Sequence, residues 1–292
     1  MKAEGRGWLW LLLMVLVLAG CEKPALSEEE EQEVKGNLRV QVFQVGQTPF
    51  DHEAQGTGIA AQGTGSDVFS RLCFAVYDLS GRRVKQVNQV KGDQHFGTCS
   101  FQLEKGTYQV VVVGHSSHGN PTMTDPTSIR FSNAQGFTDT FTYYGQVTVG
   151  EAVQDVQATL NRIVALCRLV LTDDYPAEVA SMRCTYTGGS GTFNVKTGLG
   201  CVNSKQVVTC DVTAGQKQID LYTFLHEAEG TIHLVVTALD AQGQELLTRD
   251  FDVPMAQNKV TWLTGAFFSA SAATTITVTV STKWGGEVKM EF

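Results

Sequence analysis

Leu72-Cys73-Phe74-Ala75-Val76-Tyr77 is an apolar run that ends in Asp78-Leu79-Ser80-Gly81, and Val84 to Val90 follows it. A short apolar run closed by turn residues and followed by a return reads as a strand, a turn and a second strand. The same grammar extends outward in both directions. Leu38, Val40 and Val42 alternate with Arg39 and Gln41, the period-2 mark of a half-buried strand. Phe101 and Leu103 end another strand, Glu104-Lys105-Gly106 turns, and Tyr108 to Val113 forms a buried one. Val147 to Val149 and Val153 to Leu160 close the front half. The back half opens with Ile163 to Leu171, broken by Asp173-Asp174-Tyr175-Pro176, with a short helical turn expected over Ala177 to Ala180. Strands follow around 182–186, 206–212, 219–225, 232–239, 245–253, 259–263, 275–280 and 287–292, with a hairpin turn at Asp240-Ala241-Gln242-Gly243. Residues 44–68 and 115–125 read as polar loops. About seven strands per half, with no segment of helical period, predict an all-β chain of two sandwiches.

Composition agrees with that class. Charged residues make up 18% of the chain, glycines number 29, and the formal net charge is −8. An acidic chain without a basic cluster is a poor ligand for nucleic acid, and none is expected as a partner.

The amino terminus sets the compartment. Lys2 and Arg6 precede twelve apolar residues, Trp8 to Ala19, which is the length of a signal peptide and short of the ~20 residues that span a bilayer. Leu18-Ala19-Gly20-Cys21 resembles the lipobox of bacterial lipoproteins, which are cut before the cysteine and acylated on it. Cys21 is thus the expected lipidation site, anchoring the chain to a membrane without spanning it. Loss of residues 1–20 leaves 272 residues with a net charge of −9. Five of the six residues from Glu28 to Glu33 are acidic and read as a solvated tether; the run also resembles the acidic export tag of lipoproteins carried to the outer face of the outer membrane. The expected organisation is a signal peptide (1–20), a lipidated acidic tether (21–36), a front sandwich (37–160) and a back sandwich (161–292).

Several segments, taken in order, carry a family resemblance. In front they are Phe74 to Gly81 and Gly106-Thr107-Tyr108-Gln109-Val110-Val111-Val112. Behind they are Asn161-Arg162-Ile163-Val164-Ala165, Pro176-Ala177-Glu178-Val179, Leu221 to Leu225, Leu234 to Ala238, Asp240 to Gly243, Phe251-Asp252-Val253-Pro254 and Asn258 to Phe268. Together, behind a lipobox, they resemble the fimbrillin-like lipoproteins of the Bacteroidetes, in particular the minor subunits that anchor fimbriae to the outer membrane. The resemblance implies two transthyretin-like sandwiches in tandem. It also implies partnership with other fimbrial subunits by strand exchange, in which one chain's strand completes another's open sheet. Shaft subunits of that family lose a first strand after cleavage at an arginine. Here Arg39 and Arg71 fall within or at strands, which favours an anchor or basal subunit. The exchanging segment is sought in Thr275 to Val280, where Ile276, Val278 and Val280 alternate with threonines; the other reading is an ordinary last strand of the back sandwich.

Six cysteines remain beyond Cys21, and an even number in an exported chain favours disulfides. Cys73–Cys99 is the pairing expected in front, and Cys167, Cys184, Cys201 and Cys210 leave three connectivities behind. Buried free thiols are the alternative, and the absence of a Cys-x-x-Cys pair argues against zinc.

Catalytic and cofactor chemistry finds no footing. His115 and His118 are expected to be solvated in a loop, His226-Glu227 lacks the second histidine of a zinc protease, and His233 reads as a surface residue. Gly188-Gly189-Ser190-Gly191 lacks the flanks of a phosphate loop or nucleophile elbow, and Asp173-Asp174 lacks the acidic alternation of a calcium loop. Trp262 and Trp284 read as packing residues. The expectation is a structural surface protein, not an enzyme, with no cofactor or metal. The alternative is a surface binding module for glycans or host proteins, for which Phe141, Tyr143 and Tyr144 form the dense aromatic cluster.

Overall fold

The computed structural model describes residues 36–46, 68–133, 136–212, 215–269, 277–281 and 287–291. The signal peptide, Cys21, the acidic tether up to residue 35, Ile276 and Trp284 lie outside the described residues, as does most of the expected 44–68 loop. The described part is all β, with no helix; the expected helical turn at 177–180 is a single turn closed by Val179 N–H donating to Pro176 O.

In front, the strands are β1 (Leu38–Val45), β2 (Arg71–Tyr77), β3 (Arg83–Val90), β4 (Thr98–Phe101), β5 (Gly106–His115), β6 (Ile129–Arg130), β7 (Phe141–Val149) and β8 (Gln154–Arg162). Behind come β9 (Ala165–Leu171), β10 (Ser181–Gly189), β11 (Thr192–Asn194), β12 (Leu199–Gly200), β13 (Ser204–Asp211) and β14 (Gln218–Thr223). The remainder are β15 (Glu229–Leu239), β16 (Glu245–Ala256), β17 (Val260–Gly265), β18 (Thr277–Ser281) and β19 (Glu287–Glu291).

The front strands run in the order β3-β2-β5-β7-β8-β1-β4. β7 and β8 pair only at Phe141–Arg162 and Thr142–Asn161. Beyond that corner the sheet splits into two layers, and residues from both fill one core: Leu38, Val40 and Ala158 from one layer, Leu72, Phe74 and Val110 from the other. The back half repeats the pairing with sheets β13-β10-β15-β16 and β14-β9-β17-β19-β18. In each half the first strand lies parallel to a later one (β1 with β8, β9 with β17) and antiparallel to another (β4, β14). The second strand of each half lies between two antiparallel neighbours.

β2 is buried on both faces, which is why its sequence is continuously apolar instead of alternating. Leu72, Phe74 and Val76 enter the front core. Cys73, Ala75 and Tyr77 face the other way, into a third cluster that draws on both halves. Met123, Ile129, Phe131 and Phe137 arrive there from the connection between β5 and β7, and Phe193, Val195, Phe224 and Val260 from the back half. The ring of Phe224 stacks on Phe137 at 4.5 Å and meets Phe193 at 4.7 Å. A small sheet, β12-β11-β6, seals this cluster through the pairs Phe193–Ile129 and Thr192–Arg130. These three short strands escape a sequence reading because two or three residues carry no period.

A buried ion pair completes the passage between the halves. Arg162, at the end of β8, makes a two-pronged contact with Asp139, both bonds 2.8 Å, and donates to Asn258 Oδ1 at 3.0 Å. Its guanidinium lies over the Phe141 ring, 4.9 Å from the centroid. Planar bidentate pairing of this kind is among the stronger polar contacts a protein makes.

Removing the ring at the centre of the shared cluster tests this account. Phe224→Ala is expected to cost ~3–5 kcal/mol of unfolding free energy, read from the shift in urea midpoint.

Candidate functional site

The histidines do not assemble. His115 is wholly buried at the end of β5, not solvated in a loop as its polar neighbours suggest. Its ring meets Phe131 edge-on at 5.1 Å, its Nε2 lies 3.7 Å from Cys73 Sγ, and its Nδ1 accepts from the Ser117 N–H at 3.2 Å. Burial, with Arg71 nearby, pushes its pKa from 6.5 down to about 4. His118 is exposed, so the two do not form a ligand pair. His226 Nδ1 contacts Gly200 O at 3.0 Å, and the exposed His233 contacts Asp252 at 2.9 Å. Among the described residues no group of three His, Cys, Asp or Glu side chains could hold a metal.

The glycine run also has a structural explanation. Gly188 has a φ of 88°, and a Cβ there would collide with the Thr231 carbonyl; one at Gly189 would collide with the Thr223 hydroxyl. The run allows backbone to approach backbone. Asp173 is a cap: its carboxylate accepts from the N–H groups of Phe267, Phe268 and Ser269 at 2.7–2.9 Å, and from the Ser269 hydroxyl. Burial pulls its pKa upward, but these donors outweigh that and hold it below the usual carboxylate value. Trp262 packs half-buried under the Arg168 guanidinium, 5.1 Å away.

The six cysteines are free thiols. Cys73 points into the cluster shared by the halves and Cys99 into the front core, so the structure does not bring this pair together. Cys167 and Cys184 lie in the back core with Cys210 at its margin, and Cys201 is exposed. Burial raises the Cys73 and Cys167 thiols to about 12. Of the aromatic cluster, Phe141 is fully buried, while Tyr143 and Tyr144 are half-buried and line a cleft of about 420 Å³.

What remains is the set of sheet edges. Free edges invite pairing with another chain, and natural edges are guarded by charge, proline or a bulge. β3 carries Arg83 and Lys85 and has a register shift at the Val84 level. β16 carries Glu245, Arg249, Asp250, Asp252 and Pro254. β13 carries Lys205 and Asp211, β14 carries Asp220, and β4 has only four residues. β18, Thr277-Val278-Thr279-Val280-Ser281, has none of these guards. Among the described residues its neighbour is β19, which in turn pairs with β17. Two of the three residues sought as an exchange strand, Val278 and Val280, fall on this edge. Arg39 lies inside β1, flanked by β8 and β4, and Arg71 begins β2.

The described residues define an all-β fold with a repeated pairing scheme and, at β18, an outer strand without charge or proline. Residues 29–291 match the family described as "Family of unknown function (DUF6562)", and the chain belongs to that family. No curated protein matches it. Among solved structures it is similar to a candidate adhesin from Bacteroides ovatus, 14% identical over 73% of this chain and 82% of that one, with a TM-score of 0.46. The fimbrial anchor protein Mfa2 from Porphyromonas gingivalis is 14% identical, covers 73% of this chain and 82% of its own, and gives a TM-score of 0.41. A fimbrial assembly protein from Parabacteroides distasonis is 12% identical over 87% and 97% of the two chains, with a TM-score of 0.42.

Two measurements check the buried groups. Unfolded histidine takes up a proton near pH 6.5 and folded His115 only near 4. Stability therefore falls as pH drops through that window, by ~3 kcal/mol in total at ~1.4 kcal/mol per unit. Urea unfolding at a series of pH values reads the slope, and His115→Gln flattens it. A thiol reagent without denaturant labels Cys201 first and Cys210 more slowly; Cys73, Cys99, Cys167 and Cys184 react only on unfolding.

Proposed function

We propose that this chain is a surface lipoprotein that serves as a fimbrial anchor or minor fimbrial subunit and joins other subunits by β-strand exchange. The observation that carries this reading is the β18 edge: five uncharged residues, four of them β-favouring, whose partner among the described residues is β19. An incoming chain finds unpaired N–H and C=O groups there and no charge to repel it. The position of β1 supports an anchor over a cleaved shaft subunit. Leu38 and Val40 are fully buried between β8 and β4, so a cut at Arg39 would sever a central strand. The repeated pairing of the two halves supports tandem transthyretin-like sandwiches, divided near residue 160. Acylation at Cys21 places the chain in the outer membrane, facing outward through the acidic tether. The absence of a catalytic constellation in the sequence supports a non-enzymatic role.

A second reading, an adhesin for glycans or host proteins, rests on the polar cleft beside Tyr143 and Tyr144.

Fimbriae isolated from cells with and without the chain test the first reading. Loss of attachment or altered fibre length is expected; fibres unchanged in both would refute it. Val278→Lys with Val280→Lys should abolish co-purification with fimbrial subunits; circular dichroism of the variant checks that the fold is retained. Labelling with radioactive palmitate should mark the wild type and not Cys21→Ala.

A further inference from the structure

The loop between β11 and β12 carries Lys196 out over the front half, where it stands between two clefts. The first, about 420 Å³, is walled by Thr142, Tyr143, Tyr144, Gln157, Thr159 and Asn161. The second, about 400 Å³, is walled by Ser80, Arg82, Gln109, Asp125 and Thr127. Lys196 lines both, and the Tyr144 hydroxyl, donating to Gln109 Oε1 at 3.0 Å, links a wall of one to a wall of the other. Each volume falls within the ~300–1,000 Å³ typical of small-ligand sites.

We infer that this double cleft binds an oligosaccharide bearing a carboxylate, with Lys196 as the group that reads the charge. The inference rests on the adhesin reading and is independent of strand exchange. The first cleft offers hydroxyls and carboxamides, each of which can donate and accept. Sugar hydroxyls do the same, so the two sets match without a charge being buried. Tyr143 and Tyr144 are half-buried and add apolar surface for the C–H face of a ring, with a polar tip at the margin. A peptide strand would need a run of apolar pockets for alternate side chains, and Ile163 and Val195 are the aliphatic residues of this wall. Nucleic acid would need several cations on one face, and this cleft has one.

The charge argument turns on what each basic group already contacts. Arg82, in the second cleft, is engaged by Asp78 at 3.1 Å. Lys196 is exposed, and its ammonium lies 5.9 Å from the Tyr144 ring centroid, poised above an aromatic face with no salt bridge among the described residues. An ammonium held at the junction of two hydroxyl-rich clefts suits one acidic sugar flanked by others.

Isothermal titration of the full-length protein in detergent micelles tests this with sialyllactose, a hyaluronan tetrasaccharide and tetragalacturonate. The methyl esters of each and uncharged maltotetraose are the controls. At least one acidic probe is expected to bind with a submillimolar Kd, about tenfold or more tighter than its own ester. Lys196→Met keeps the stem over Tyr144 and removes the charge; it should erase that difference without moving the melting temperature. If esters bind as well as acids, or Lys196→Met retains the preference, the carboxylate assignment is overturned while glycan binding stands. If no probe binds tighter than about 10 mM, on a scale where 1 mM is about −4 kcal/mol, the cleft is not a glycan site and the glycan form of the adhesin reading falls with it. Neither result touches the fimbrial reading.

Discussion

Two-sided burial of β2 and β5 is the constraint on which the rest of the chain depends. One face of these strands closes the front core; the other meets Phe131, Phe137, Phe193 and Phe224 from outside it. A strand in that position has no solvent face on which to place polar side chains, so each polar group it carries needs a partner inside the protein. An unsatisfied buried group costs ~1–3 kcal/mol. The partners are present. Gln109 Nε2 donates to Asp78 O at 2.7 Å, and the Tyr77 hydroxyl donates to Met123 O at 2.8 Å. His115 stays neutral with Ser117 N–H on its Nδ1. Burial of this kind makes histidine a structural element that resists protonation, and makes cysteine an inert apolar residue whose thiolate is out of reach.

The shared cluster also explains where the clefts lie. Because the back half packs against the outer face of the β2-β5-β7 layer, the β11–β12 connection comes to rest opposite β7 and β8. Those two strands diverge after two paired residues. Splayed strands beneath a polar loop leave hydroxyls and amides facing each other, and that is the wall that Tyr143, Gln157 and Lys196 share. The free outer strand has a separate origin. The five-stranded sheet is wider than its counterpart in front because β19 and β18 add to β17. An added pair always ends in an edge, and this edge is without the charges found on β3, β13, β14 and β16.

Much of the fold was written in local patterns. Alternation at Leu38–Val42, the turn at Asp78–Gly81 and the hairpin at Asp240–Gly243 are each decided by a few neighbouring residues. The structure places strands or turns at all three. Period-2 burial and turn chemistry are short-range effects, so they survive without knowledge of the rest of the chain. The candidate site was legible in pieces: Tyr143, Tyr144, Val278 and Val280 stood out by type and spacing, while Lys196 and Gln157 carried no local signal.

Tertiary structure alone decided which way each buried group points. Composition and spacing paired Cys73 with Cys99, yet alternate faces of one strand belong to different cores, and Cys73 faces away from the core that holds Cys99. Polar neighbours suggested a solvated His115, yet the aromatic cluster that covers it comes from residues 16 and more positions away. The sequence by itself determined an all-β chain and the positions of most of its strands, because those follow from contacts between neighbours along the chain. Which face meets which core, and which side chains line a cleft, follow from contacts between residues far apart in sequence, and only packing brings those together.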